Sequence, residues 1–261
     1  MSSTTTAKSN LKRDWFILSS LVSKDFKLKY RRSVLGVLWS VLNPLFMMII
    51  LSVVFSYFFR FQIEHFPVYL ILGQTIFTFM ADGTSSAMSS IIDSSTLIKK
   101  IRINKIIFPL QKVMFALVNF GVSLIAVIAV MIFFQITPTW NMLLLPWLIA
   151  MLFVFTLGIG LILSSLAVFF RDVIHLWGVF ITAWTYFTPL FYPVEILPNW
   201  AVPIMNCNPM YYFVTYFREI MLWGTTPGVM ENIICFGFAV AFLIIGLVVF
   251  KRTQKRFILY V

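Results

Sequence analysis

The stretch FKLKYRRSVLGVLWSVLNPL, residues 26–45, decides the fold because a cluster of cations runs directly into an apolar segment. Its first seven residues carry four cations, whereas the thirteen that follow carry no charge, and the apolar character continues to residue 59. A helix needs about 20 mostly apolar residues to cross the hydrocarbon core of a bilayer. Residues 35–59 are therefore predicted to form a first transmembrane span that begins beside a basic cluster.

The composition of the whole chain excludes a soluble protein. Of its 261 residues, 61% are hydrophobic and 11% are charged, and the mean hydropathy is +0.95. An ordinary soluble domain has about 25% charged residues. Because so few charges cannot cover a globule of this size, we expect an all-α integral membrane protein. In a membrane protein the net charge of +11 indicates which side of the bilayer the cationic residues occupy. We therefore expect no nucleic-acid partner.

Five further segments are long and apolar enough to be predicted as spans: 66–92, 108–134, 142–170, 173–192 and 232–250. With six spans and both termini in the cytoplasm, 18 of the 20 Lys and Arg residues fall on the cytoplasmic side. Membrane proteins show this excess of cations in cytoplasmic loops, which supports the six-span topology. Asp82 and several Ser and Thr residues make the second span the least apolar, and we expect it to face protein rather than lipid.

Residues 1–34 are predicted to form a cytoplasmic segment with an amphipathic helix. Within 11–32, apolar residues recur at helical spacing opposite a charged face: Leu11, Trp15, Leu18, Val22 and Phe26. Such a helix lies in the plane of the membrane interface. The basic cluster at its end has two compatible interpretations: an anchor on anionic lipid head groups, or an access point for a phosphate-bearing lipid substrate.

The largest internal cytoplasmic loop, 93–107, is predicted to contain a short amphipathic helix. Asp93 and Ser95 are both suited to cap this helix, because their side-chain oxygens can accept hydrogen bonds from backbone N–H groups. Its apolar side is not needed by the membrane spans. The loop is therefore either a docking element for a partner or simply a positively charged cytoplasmic loop.

Residues 193–226 are predicted to form re-entrant or interfacial short helices on the outer side. Five prolines between positions 189 and 209 interrupt an apolar, aromatic stretch, and proline breaks a helix by removing a donor and clashing with the preceding turn. Interrupted backbone at membrane depth must be buried in protein or line a water-filled cavity. The aromatic residues fit an outer gate, and they equally fit an aromatic belt at the level of the head groups.

Residues that enzymes and metal sites require are scarce. Two cysteines and two histidines make a poor metal set, and their spacing does not suggest a disulfide. Asp82 is the one convincing ionisable residue within a span, whereas a group-transfer enzyme needs several converging carboxylates or a histidine with a carboxylate. The Gly-Lys dipeptide of the phosphate-binding loop does not occur. We expect no catalytic residue, no metal site and no cofactor in this chain.

Three motifs resemble the type-2 ATP-binding-cassette exporter permeases, which are the polysaccharide and polyol-phosphate exporters of bacteria. The stretch 26–45 is similar to the start of their first span, and FRDV at 170–173 is similar to their second landmark. TPLFYP at 188–193, followed by NPM at 208–210, resembles the third. The likeness covers nearly the whole chain, including its length, the six spans and the interrupted outer segment.

This resemblance implies a permease subunit that works as two copies with two separate ATPase chains, which would bind the ATP and magnesium. The lumen of the permease dimer would carry a long glycan on an undecaprenyl (pyro)phosphate lipid across the bacterial cytoplasmic membrane. O-antigen or a capsule-like polysaccharide is the expected cargo, and wall teichoic acid is the nearest alternative. A membrane-embedded lipid-glycan transferase and a stand-alone channel or carrier are more distant alternatives.

The resemblance also implies roles for residues of this chain. Residues 1–34 would form a gate helix that contacts membrane lipids, and 35–261 would form the six-span transmembrane domain. Candidate contacts to the lipid pyrophosphate are Lys27, Lys29, Arg31 and Arg32. Candidate contacts to the ATPase, in the coupling loop 93–107, are Ser95, Leu97, Lys99, Lys100 and Arg102. Candidates for the lumen or gate are Trp39, Asn43, Trp184, Tyr186, Tyr192 and Trp200, although core packing explains any single aromatic residue equally well.

Overall fold

The computed structural model describes residues 2–31, 35–58, 63–100 and 103–260. The described chain is helical and contains no β-strand. Its helices are α1 (Ser2–Tyr30), α2 (Leu38–Phe58), α3 (Phe66–Asp93), α4 (Ser95–Lys100), α5 (Ile107–Phe133), α6 (Leu145–Phe169), α7 (Val173–Phe187), α8 (Val202–Asn206), α9 (Pro209–Arg218), α10 (Val229–Thr253) and α11 (Phe257–Tyr260). A 3-10 turn, Trp140–Leu144, leads into α6, and a π-helical turn, Glu219–Trp223, extends α9.

Six of these helices correspond to the predicted spans, and four of the six are long and apolar enough to cross a bilayer. The four lie in α2, α5, α6 with the turn before it, and α10. α3 has the length, but it carries a row of polar side chains. α7 has 15 residues, about 22 Å of helix, against a hydrocarbon core of about 30 Å. Four spans are thus supported by length and hydropathy, and the crossing of the membrane by α3 and α7 stays a prediction.

α3 is the central helix of the bundle. It packs against α2, α5, α6, α7 and α9, and most of its residues are buried. Lipid tails are as apolar as the side chains of these helices, so close packing rather than the hydrophobic effect holds such a bundle together. The position of α3 means that any polar residue on its surface lies between helices or in a cavity.

A close crossing joins α6 to α10 through two glycines. A methyl group on Gly158 would lie 2.4 Å from a backbone carbon of Phe242, and one on Gly246 would lie 2.4 Å from the carbonyl oxygen of Gly158. Glycines at such a crossing allow two helix backbones to approach each other directly. This crossing fixes the position of α10 against the rest of the bundle.

A second, smaller core lies at the end of the bundle where α3 leads into α4. Buried side chains from distant parts of the chain meet there: Ile91, Ile98, Phe108, Leu161, Val168, Phe250 and Phe257. The Nζ atom of Lys105 donates a hydrogen bond to the backbone oxygen of Gln254 at 2.6 Å and lies 5.8 Å from the centre of the Phe257 ring. α4 therefore packs against the end of α10 and against α11.

α2 and α7 leave most of their apolar surface uncovered within this chain. Only 6% of the apolar window of α2 is buried, and no residue of α7 is buried. Val53 on α2 is 63% exposed and Val179 on α7 is 71% exposed. Helices that are apolar on all sides require lipid or another protein chain around them.

Candidate functional site

One face of α3 carries a row of polar side chains, which we call the polar stripe. Gln74, Thr78, Asp82 and Ser85 follow one another at spacings of four, four and three residues, which places them on the same side of a helix. Thr78, Asp82 and Ser85 are exposed, whereas the rest of α3 is mostly buried. The central helix therefore has one open side, and that side is hydrophilic.

The polar stripe borders a cavity of about 280 Å³ between α2, α3 and α5, which we call the polar cavity. Three residues predicted as site candidates meet there, although they were assigned different roles: Lys29, Trp39 and Asn43. Asp82 and Gln74 from the polar stripe and Asn119 from α5 add further polar groups to the lining. Four hydroxyl residues also line it: Ser40, Thr75, Thr78 and Ser123. The cavity thus combines an ammonium, a carboxylate, three amides, four hydroxyls and three aromatic rings.

The end of α1 fixes one wall of the polar cavity. The Tyr30 hydroxyl donates to Asn119 Oδ1 on α5 at 2.8 Å and is hydrogen-bonded to the Ser40 hydroxyl on α2. The Ser123 hydroxyl on α5 donates to the backbone oxygen of Ser40 at 3.1 Å. These bonds tie three helices together beside the cavity, so its wall is held in place without a ligand.

Two polar groups in the cavity have no hydrogen-bond partner among the described residues. Gln74 Oε1 is buried without a donor, and the Asp82 carboxylate interacts only electrostatically, with Lys29. An unpaired polar group in an apolar environment is costly, so such groups are hydrated or bind a polar ligand. Ionisable residues inside a membrane bundle also mark substrate pathways. The arrangement is suited to a hydroxyl-bearing ligand, which can both donate and accept hydrogen bonds.

The structure divides the predicted basic cluster between two faces of α1. Lys29 borders the polar cavity, whereas Lys27 and Arg31 line a separate groove of about 770 Å³ together with Lys24. Arg32 lies outside the described residues. α1 is fastened to α5 by Asp25, whose carboxylate accepts hydrogen bonds from Lys112 at 2.7 Å and from Gln111. An anion could therefore meet Lys27 and Arg31 together, but not Lys29 as well.

The short helix predicted within the loop 93–107 is present as α4, and its role in contacting an ATPase stays a prediction. Lys99 and Lys100 are exposed at its end, Ser95 and Leu97 are half-buried, and Ile98 is buried in the smaller core. Arg102 lies outside the described residues. The Asp93 carboxylate accepts a hydrogen bond from the Ser89 hydroxyl at 2.7 Å. Burial lowers the pKa of Lys105, whose ammonium supports the contact between this loop and α10.

The predicted aromatic candidates do not line one common lumen within a single chain. Trp39 borders the polar cavity. Trp184 borders an apolar groove of about 740 Å³, and its Nε1 atom donates to Asn208 Oδ1 at 2.7 Å. The Tyr192 hydroxyl donates to the backbone oxygen of Tyr186 at 3.0 Å, and Tyr186 and Trp200 are largely exposed.

Arg218 is a buried residue whose role the sequence analysis missed, because its partners are backbone atoms far away in the chain. It is 2% exposed and lies in α9. Its guanidinium donates to the backbone oxygens of Pro189 at 2.8 Å, Leu190 at 3.0 Å and Tyr69 at 3.2 Å, and it stacks on the Tyr69 ring at 3.4 Å. Arg218 therefore fastens α9 to α3 and to the proline-interrupted segment after α7.

Metal and disulfide chemistry is not supported by the described part of the chain. No group of three His, Cys, Asp or Glu side chains in those ranges could hold a metal ion. Both cysteines are free, with Cys207 exposed and Cys235 buried. The polar cavity offers one carboxylate, Asp82, and its lining contains no second carboxylate and no histidine.

Comparison with known proteins decides the family. The family described as ABC-2 type transporter matches residues 18–222, which is more than half of the chain. The chain belongs to this family. The resemblance seen in the three sequence motifs is thereby confirmed, and the transporter is a membrane protein whose polar stripe and polar cavity lie within the matched region.

The relatives of this transporter match over most or nearly all of their length. The O-antigen export system permease protein RfbA of Klebsiella pneumoniae is 28% identical over 254 residues, covering 96% of each chain. The protein of the same name from Myxococcus xanthus is 29% identical and covers 81% of this chain and 82% of its own. The polysialic acid transport protein KpsM of Escherichia coli is 21% identical and covers 95% of this chain and 98% of its own.

Proposed function

We propose that this chain is the permease subunit of an ATP-driven exporter that moves O-antigen or a capsule-like polysaccharide outward across the bacterial inner membrane. The observation that carries the proposal is that relatives matched over nearly their whole length are named O-antigen export permeases. A polar cavity bordered by apolar helices supports it, because a hydrophilic cargo needs polar groups along its path through the bilayer.

The proposed topology has six spans, with α3 and α7 crossing the membrane as well, and both termini in the cytoplasm. The placement of 18 of 20 cations on one side supports it. In this topology α1, α4 and α11 lie on the cytoplasmic side. The short helices between α7 and α10 then lie on the outer side as re-entrant elements.

The proposed cargo is linked to undecaprenyl (pyro)phosphate. The groove beside Lys24, Lys27 and Arg31 supports this, because several cationic donors near one another suit a multi-anionic head group. Binding to anionic membrane lipids through the same groove remains the compatible alternative. The polar cavity, with its opposite charges and hydroxyl partners, fits the sugar part of the cargo rather than its phosphate.

We further propose that two copies form the lumen. A cavity of about 280 Å³ in one chain is smaller than the roughly 300–1,000 Å³ pockets that hold single small molecules, so it cannot enclose a polymer alone. The uncovered apolar faces of α2 and α7 support the same idea, because a second copy can cover them. Two partner ATPase chains would dock at α4 and bind the ATP and magnesium.

Two other functional classes make different demands on the site. A lipid-glycan transferase would require converging carboxylates, whereas Asp82 is the one carboxylate that borders the polar cavity. A stand-alone channel or carrier would need no ATPase partner. Wall teichoic acid export stays the nearest alternative cargo, since a polyol-phosphate chain also carries many hydroxyl groups.

A gene replacement in the host strain tests the proposed function. Removing this chain should abolish the surface polysaccharide and cause its lipid-linked form to accumulate on the cytoplasmic side of the inner membrane, and the wild-type chain should restore export. The affinity-tagged chain should also co-purify with an ATPase. Normal surface polysaccharide in the deletion strain, or transport by a chain that purifies without any ATPase, would contradict the proposal.

A further inference from the structure

A larger cavity, of about 990 Å³, lies at the end of the bundle opposite α4. Its lining comes from the start of α3, from the segment 193–199, from α9 and from the π-helical turn after α9. We call it the Arg218 cavity, because Arg218 forms part of its floor. The polar cavity described above is separate from it and borders α2 and α5 instead.

The floor of the Arg218 cavity is rigid. The guanidinium is held by three backbone oxygens and the Tyr69 ring, and the Tyr69 hydroxyl donates to the backbone oxygen of Tyr192 at 2.9 Å. A methyl group on Gly73 would lie 2.5 Å from Nη2 of Arg218, so this glycine makes room for the guanidinium. A cavity with such a floor keeps its shape when it is empty, which lowers the entropic cost of binding.

The walls of the Arg218 cavity combine aromatic rings with free polar groups. Tyr211 and Trp223 line it, and Trp223 is 51% exposed. Glu195 and Asn199 also line it, and their side chains are exposed and make no hydrogen bond with the described residues. One carboxylate and one guanidinium are the charged groups in this lining, so the cavity carries no net charge.

This combination fits a neutral sugar ring better than the other ligand classes. A phosphate would need guanidinium N–H groups that already donate to backbone oxygens. An apolar ligand would leave the carboxylate and the amide without water or partners. A pyranose places its C–H face on an aromatic ring and its hydroxyls on acceptors and donors, and the volume lies within the range of about 300–1,000 Å³ for small-molecule pockets.

We propose that the Arg218 cavity binds a neutral sugar unit of the transported glycan at the end of the path, where the polymer leaves the bundle. Tyr211 and Trp223 provide the stacking surfaces, Glu195 accepts hydrogen bonds from sugar hydroxyls, and Asn199 both donates and accepts. The inference rests on the proposed function, because it takes the exported glycan as the ligand and the outer side as the location of 193–226.

Binding of soluble sugar to the full chain tests this assignment. The probe is the surface polysaccharide of the host strain, released by mild acid and cut to short oligosaccharides, and the readout is saturation-transfer NMR on the transporter in lipid nanodiscs. Wild-type protein should bind through the sugar C–H protons. Tyr211→Ala and Trp223→Ala should each weaken binding about tenfold, and Glu195→Gln, an exposed substitution that keeps the side-chain size, should weaken it about threefold. Equal affinity in all variants, or no binding to wild type, would overturn the assignment.

A matched control and an export assay separate this inference from the proposed function. Trp140→Ala removes a tryptophan that is 87% exposed and does not line the cavity, so its sugar affinity should equal that of wild type. If the wild-type chain supports no export in the host strain, the proposed function fails. If the wild type exports glycan while Tyr211→Ala and Trp223→Ala bind sugar as tightly as Trp140→Ala, the cavity assignment alone fails.

Discussion

Asp82 and Arg218 are both charged residues within an apolar bundle, but their surroundings differ. Arg218 is enclosed and gives its N–H groups to three backbone oxygens, so its charge serves the fold. Asp82 is exposed in the polar stripe, accepts no hydrogen bond from the described residues, and faces the charge of Lys29. Because the Asp82 carboxylate accepts no hydrogen bond from the described residues, it is available to accept one from a ligand.

Asp82→Asn should slow export without reducing the amount of protein in the membrane. The amide keeps the size of the side chain but removes the charge that strengthens hydrogen bonds to hydroxyl groups, and we expect an about tenfold lower rate. The measurement is the rate at which new polysaccharide reaches the surface. Glu64→Gln is the matched control, because this carboxylate is 92% exposed, and it should export like wild type. Equal rates for both variants would contradict a role for Asp82.

Gly73→Ala should destabilise the protein because its methyl group would displace the Arg218 guanidinium, 2.5 Å away. We expect a loss of about 2 kcal/mol in the free energy of unfolding, the cost of overpacking a buried site. The measurement is denaturant unfolding in detergent. Gly121→Ala places the same methyl group in α5 with no atom within 4 Å and should be neutral or slightly stabilising. Equal stability of the two variants would show that Arg218 is not held as described.

At the scale of helices, α4 has two exposed lysines at its end and one buried side chain that packs it against the bundle. Lys99 and Lys100 are exposed, while Ile98 packs into the core formed with Phe250 and Phe257. Because α4 packs against α3 and α10, a displacement of α4 by a partner protein would also move these two helices. α4 is accordingly the element at which we expect the ATPase to act.

Reversing both charges, Lys99→Glu with Lys100→Glu, should weaken co-purification of the ATPase and slow export while leaving the transporter folded. Both side chains are exposed, so the folded bundle loses no packing. The readout is the ratio of ATPase to permease after affinity purification, and we expect it to fall about tenfold because like charges across an interface are costly. Lys12→Glu, also exposed, serves as the control. An unchanged ratio in the double variant would exclude α4 as the docking element.

Gly158→Ala should disrupt the crossing of α6 and α10, since its methyl group would lie 2.4 Å from the backbone of α10. The helices must separate, and we expect a loss of about 2–3 kcal/mol in the free energy of unfolding. Gly237→Ala on α10 has no atom within 4 Å of the new methyl group and is the control. Thermal unfolding in detergent measures both, and coincident melting curves would refute the direct backbone contact.

Hydropathy and residue spacing predicted a large part of this fold, because both are properties of residues that are close together in the sequence. The positions of α2, α5, α6 and α10 follow from long apolar runs, and Asp82 with several Ser and Thr residues identified α3 as the least apolar span. The contacts of Arg218 with Tyr69 and Pro189, and of Lys105 with Gln254, could not be predicted, because they join residues that only the folded chain brings together. The same reason explains why Lys29 separates from Lys27: the packing of α1 on α5 sets their directions.

At the scale of the whole molecule, polar groups lie at three levels of an otherwise apolar bundle. The cationic groove of α1 and the exposed lysines of α4 lie near one end, the polar cavity borders α2, α3 and α5, and the Arg218 cavity lies at the opposite end. The uncovered faces of α2 and α7 leave room for a second copy beside this series. The arrangement suits directional movement of the proposed cargo, which would be anionic at its lipid end and hydroxyl-rich along its length.

ATP-dependent movement of a lipid-linked glycan in proteoliposomes tests the central claim most directly. The chain is reconstituted with its co-purified ATPase, and a labelled undecaprenyl-linked oligosaccharide is followed by its accessibility to a membrane-impermeant quencher. We predict that the label changes sides only when the ATPase, ATP and magnesium are all present, and that a non-hydrolysable ATP analogue stops repeated transport. Equal movement of the label without the ATPase, or no movement with the complete system, would contradict the account.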